Sequence, residues 1–127
     1  MDLPVIAVIE DNEDNRILLQ ALLGDSYRLR EYASGPEALA DMVHAPPDLV
    51  LLDVSLPGMD GVSVLQHIRQ VQALEGVPVI AVTAHAMAGD KQRLLDAGFD
   101  GYISKPILDE YQLFSLIDDL LDGPLRS

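Results

Sequence analysis

Five short strand-like runs recur along the chain, and each is followed by a segment with helical spacing. The runs are Val5 to Ile9, Tyr27 to Tyr32, Leu49 to Leu52, Val79 to Val82 and Gly101 to Ile103. The first, third and fourth are unbroken apolar stretches, the pattern of a strand covered on both faces. Helices are expected from Asp14 to Leu23, from the Ser34-Gly35-Pro36-Glu37 capping box to about Val43, and from Val62 to Gln70. Two more are expected from Ala88 to Ala97 and from about Leu108 to Leu121. In the first helix Ile17, Leu18, Ala21 and Leu22 carry the helical periodicity, and in the last Leu113, Leu116, Ile117, Leu120 and Leu121 fall on one stripe with the spacing of a buried face. Such alternation implies an α/β fold with a doubly wound parallel sheet, because parallel crossovers are right-handed and usually helical.

A chain of 127 residues, 49% hydrophobic and 23% charged, buries enough surface for one self-sufficient domain. That domain is expected to span residues 1–122, with 123–127 a frayed tail. Zero cysteines exclude a disulfide framework, thiol catalysis and thiolate metal sites. No apolar stretch approaches the roughly 20 residues of a membrane span, and the segment from Met1 to Pro4 has no basic n-region. The expectation is an unexported cytoplasmic protein without membrane association. Eight basic against twenty-one acidic side chains give a net charge of −13. That charge repels nucleic acid phosphates, so direct nucleic acid binding is not expected.

Polar residues stand just past four of the strand-like runs: Asp11, Asp53, Thr83 and Lys105. In an open parallel sheet ligands bind outside the carboxyl ends of the strands, so these four converge if the strand order is 2-1-3-4-5. Lys105 then starts about two strands from Asp53, a gap its four-carbon stem can close. Crowded carboxylates repel one another by about 4 kcal/mol per close pair at an effective dielectric near 20. A hard divalent cation such as Mg²⁺ (or Mn²⁺) answers that repulsion, and Lys105 supplies a second positive charge. A carboxylate facing a cation, a hydroxyl and an ammonium is equipped to attack phosphorus, and Asp53 is the residue chosen for that role.

The ordered set Glu10-Asp11-Asn12, Leu51 through Gly61, Pro78 through Ala84 and Gly98 through Pro106 closely resembles the receiver domain of two-component response regulators. The resemblance implies a flavodoxin-like (βα)5 three-layer sandwich and a phosphorelay role, with Asp53 accepting a phosphoryl group from a histidine kinase or phosphotransfer protein. It implies Mg²⁺ held by Asp11, Asp53 and the Ser55 backbone carbonyl, with Glu10 acting through water. Thr83 and Lys105 would contact the phosphoryl group, Thr83 and Tyr102 would form the switch, and Ser55 and His85 would tune dephosphorylation. Lys105-Pro106 would be a cis bond. The output would be a changed α4-β5-α5 surface that controls a downstream protein, in a monomer or weak phosphorylation-dependent dimer. Catalysis would extend only to its own phosphorylation and dephosphorylation.

Two rivals share parts of this pattern. A haloacid dehalogenase-type phosphatase uses an aspartate nucleophile with Mg²⁺ and Lys, but its nucleophile follows the first strand in an Asp-x-Asp pattern, whereas Asp53 follows the third and precedes Val54-Ser55. An FMN carrier of similar topology would meet repulsion between the flavin phosphate and the acidic side chains of residues 10–15, Glu-Asp-Asn-Glu-Asp-Asn. A stand-alone receiver is expected, with a segment of a hybrid kinase as the alternative.

Overall fold

All five strand-like runs form strands: β1 (Val5–Ile9), β2 (Arg28–Tyr32), β3 (Leu49–Asp53), β4 (Val79–Thr83) and β5 (Gly101–Ser104). The helices are α1 (Glu13–Leu23), α2 (Gly35–Met42), α3 (Gly61–Gln70), α4 (Ala88–Ala97) and α5 (Glu110–Leu121). These elements come from a computed structural model that describes residues 3–54, 60–84, 88–105 and 110–121. The strands pair in parallel in the order β2-β1-β3-β4-β5. Ser55, His85, Pro106, the start expected for the last helix and the tail from 123 lie outside the described residues.

Strand alternation feeds two cores. Ile6, Val8, Leu49, Leu51, Ile80, Val82 and Ile103 pack with Leu19 and Leu23 of α1 and Leu113, Ile117 and Leu121 of α5. On the other face Ala7, Ile9, Val50, Leu52, Val79 and Ala81 pack with α2, α3 and Leu94 of α4. The sheet is therefore covered on both sides, which is why β3 and β4 are buried at every position.

The helix starts follow side-chain caps. Asn12 accepts from the Asn15 amide at 3.1 Å, Ser34 from the Glu37 amide at 3.3 Å, and Asp60 from the Ser63 amide at 2.9 Å. The α5 stripe faces inward as expected, with Leu113, Ile117 and Leu121 buried and Leu116 and Leu120 at its margins.

Of the four residues that carry the α1 periodicity, only Leu22 packs against the core. Ile17 and Leu18 are 58% and 39% exposed, Ala21 is exposed too, and Leu19 and Leu23 make the core contact instead. Apolar residues occupy 17–19 and 21–23, so periodicity leaves the helix's rotation open. Tertiary contacts set it: Leu19 and Leu23 join Ile6, Val8 and Tyr27, and Arg16 reaches the Glu10 carbonyl at 2.7 Å. Tyr27 leaves the second strand because its amide closes onto the Leu23 carbonyl at 2.9 Å.

Candidate functional site at the carboxyl edge of the sheet

Register decides which side chains meet. Ile9 is level with Leu52, Asp53 with Val82, and Thr83 with Ser104. The next residue along β1, Glu10, therefore stands beside Asp53, and Lys105 follows the level of Thr83. Its amide donates to the Thr83 carbonyl at 2.7 Å. Period-2 alternation sorts these positions by face. Asp53 shares the parity of Leu49 and Leu51 on the α1/α5 side, while Thr83 shares that of Ala81 on the α2/α3 side.

The crevice gathers Glu10, Asp11, Asp53 and Lys105. One carboxylate oxygen from each acid lies within 4.8 Å of the others, with Glu10 and Asp53 buried and Asp11 exposed. Lys105 Nζ lies 2.7 Å from Glu10 Oε1 and 2.9 Å from Asp53 Oδ2. Glu10 also accepts from the Asn12 amide at 3.2 Å and from Asn15 Nδ2 at 3.3 Å. Among the described residues no buried side-chain polar atom lacks a partner.

Burial is the main cause that pushes the Glu10 carboxyl up to about 6, and the Asp53 carboxylate adds to it against the opposing pull of Lys105 and the Asn12 amide. At Lys105 burial works to lower the ammonium pKa, but the Glu10 and Asp53 carboxylates prevail and it is raised. Among the described residues the cluster sets three carboxylates against one close ammonium. An all-oxygen donor set with an exposed member open to solvent fits a hard divalent cation that keeps several waters.

Thr83 is 3% exposed. Tyr102 is level with Ala81, two positions before Thr83 on β4, and packs against the α2/α3-side core. The Lys91 ammonium sits 5.5 Å from its ring centroid. The direct Glu10–Lys105 pair and the contacts of Asn15 and Arg16 were not legible in the sequence. The one available signal was helical spacing, which sets Asn15 and Arg16 on the first turn after the acidic pair.

Residues 6–118 match the response regulator receiver domain family. The chain belongs to that family. The match runs across almost the whole receiver fold and sets aside the phosphatase and FMN-carrier readings. Polar-differentiation response regulator DivK of Brucella ovis is 42% identical over 103 residues, covering 80% of this receiver and 84% of DivK. The histidine-protein kinase BarA of Escherichia coli K12 is 42% identical over 106 residues, covering 83% of this receiver. The receiver spans only 12% of BarA's length. Among solved structures, a putative response regulator from Chloroflexus aurantiacus superposes with a TM-score of 0.89 at 28% identity, covering 96% of this chain and all of that one. The receiver domain of sensor histidine kinase PA1611 from Pseudomonas aeruginosa PAO1 superposes at 0.86 with 31% identity, covering 95% and 99% of the two chains. That structure holds a magnesium ion coordinated in its active site cleft.

Proposed function

We propose that this receiver accepts a phosphoryl group on the Asp53 carboxylate from a phosphohistidine of a sensor kinase or phosphotransfer protein. The observation that carries the proposal is the buried Asp53 carboxylate held at 2.9 Å by Lys105, within a three-carboxylate cluster. An Asp53 oxygen attacks phosphorus, the P–N bond to the donor imidazole breaks, and the imidazole leaves with its electron pair and takes up a proton. Lys105 stabilises charge on the equatorial oxygens, and the Thr83 hydroxyl donates to one of them.

Glu10, Asp11 and Asp53 are the side chains suited to hold Mg²⁺ or Mn²⁺, with the Ser55 carbonyl as a further ligand from outside the described residues. Once bound, such a cation neutralises the cluster and the phosphoryl charge. Thr83 and Tyr102 form the switch in this proposal, supported by their common face. Movement of Thr83 toward a phosphoryl group frees space for the Tyr102 ring and alters the α4-β5-α5 surface that a downstream protein reads. Ser55 and His85 are proposed to tune the water that hydrolyses the acyl phosphate.

Incubation with acetyl phosphate and Mg²⁺, followed by peptide mass analysis, tests the assignment. A phosphoryl group on Asp53 that is absent in Asp53→Asn is expected; modification elsewhere, or none, overturns it. The likeness to BarA over a small part of that kinase supports a second reading, in which the domain serves inside a hybrid kinase with the same Asp53 chemistry. The partners remain a histidine kinase or phosphotransfer protein upstream and a protein target downstream, in the cytoplasm, with the receiver a monomer or weak phosphorylation-dependent dimer.

A further inference from the structure

The first turn of α1 grips Glu10 from two directions. Asn15 Nδ2 donates to Glu10 Oε1 at 3.3 Å, while Arg16 Nη1 donates to the Glu10 carbonyl at 2.7 Å. The Asn12 amide completes the hold on Oε2 at 3.2 Å. We infer that Asn15 and Arg16 are positioning residues that fix Glu10 for the cation site, an inference that rests on the metal-assisted phosphoryl transfer proposed above.

Glu10 is 2% exposed and stands between opposed influences. Lys105 draws its Oε1 to 2.7 Å, and the neighbouring Asp53 carboxylate repels it. The ammonium also holds Asp53 at 2.9 Å, so it keeps the two acids side by side, while the Asn15 and Asn12 donors fix how the Glu10 carboxylate is turned. Asn15 supplies direction without charge, so it orients Glu10 and leaves intact the negative charge that a divalent cation needs.

Arg16 does a different job. Its guanidinium addresses a backbone carbonyl rather than the acids, and its Nε lies 3.9 Å from Glu31 on β2. The positive charge is thereby held behind the site. The bond ties the end of β1 to the first turn of α1, and Asp11 lies on the short segment between them. Rotation of α1 is thus coupled to the placement of both Glu10 and Asp11.

Mg²⁺ titrations read by calorimetry and by melting temperature on Asn15→Ala, Arg16→Ala and Arg16→Lys test the inference. Asn15→Ala and Arg16→Ala are expected to weaken Mg²⁺ about tenfold, as loss of an orienting partner commonly does, and Arg16→Lys to restore part of the affinity. Phosphorylation by acetyl phosphate should return to the wild-type rate at saturating Mg²⁺. In a Glu10→Ala background, which removes the oxygen that accepts from Asn15, the added Asn15→Ala change should cost less than twofold, because Asn15 acts through Glu10. Affinities within twofold of wild type in the single variants, or a rate that saturating Mg²⁺ fails to restore, overturn the inference. Asn15→Ala alone decides the matter if Arg16→Ala does not fold. A wild-type receiver that binds no Mg²⁺ overturns the proposed function and this inference together, a result distinct from normal wild-type binding with unaffected variants.

Discussion

Lys105 donates to Asp53 at 2.9 Å across 52 residues of sequence, and the same ammonium lies 2.7 Å from Glu10. One cation therefore serves two buried carboxylates on adjacent strands. Its geometry follows from the bond between the Lys105 amide and the Thr83 carbonyl, which fixes where the side chain starts.

Removing that ammonium leaves both acids under-compensated. Lys105→Ala is expected to lower the stability of the metal-free protein by about 1 to 3 kcal/mol, the cost of leaving a buried polar group without its partner, since the lysine is itself partly exposed. Urea unfolding with and without Mg²⁺ measures it, and the loss should shrink when the cation is present. An unchanged midpoint in metal-free buffer would contradict a structural role for the pair.

The Glu10 carboxyl predicts a pH dependence. Its folded pKa of about 6 stands above the ordinary 4.5, so between those values the folded chain binds more protons than the unfolded one. Metal-free stability should therefore fall by about 2 kcal/mol as pH climbs from 4.5 through 6. Glu10→Gln should flatten that part of the curve, and denaturant titrations at stepped pH values compare the two. Mg²⁺ affinity runs the other way and weakens on acidification through 6, since the ligand must lose its proton.

Asp11 is the exposed acid of the cluster. Wild-type protein at 100 times the Mg²⁺ dissociation constant should gain about 2.7 kcal/mol of stability. Asp11→Asn should lose most of that gain while its metal-free form is as stable as wild type or more so. Thermal melts with and without Mg²⁺ test the pair, and equal shifts in both proteins would remove Asp11 from the site.

Gly61 begins α3 directly under the end of β3. A Cβ there would lie 2.6 Å from Val54 Cα and 2.8 Å from the Asp53 carbonyl oxygen, backbone atoms that cannot swing aside. Gly61→Ala should cost about 1 to 3 kcal/mol by overpacking, and it should weaken Mg²⁺ because the end of β3 must shift. Equilibrium unfolding together with a Mg²⁺ titration gives both numbers.

The orientation of α1 yields a paired test. Leu19→Ala should destabilise by about 2 to 5 kcal/mol, whereas Ile17→Ser, on the exposed face, should change stability by less than about 0.5 kcal/mol. Comparable losses in urea would reverse the assignment of the buried face.

Much of this receiver was legible in its residues alone. Unbroken apolar runs at Val5–Ile9, Leu49–Leu52 and Val79–Val82, bounded by turn formers and polar residues, read as strands sealed on both sides, and the cap at Ser34 marks the start of a helix. Those signals are local, so they set the alternation of elements, while the meeting of Asp11, Asp53, Thr83 and Lys105 at one edge depended on the 2-1-3-4-5 strand order. Rotation and register are not local. Ile17 and Leu19 look equally apolar in the chain, and only packing against Ile6, Val8 and Tyr27 decides which is buried. Likewise nothing in the order of residues says that Lys105 is shared between Glu10 and Asp53, or that Asn15 and Arg16 hold Glu10. Distances between side chains on different strands and helices depend on how the sheet stacks them, and that stacking is a property of the whole fold.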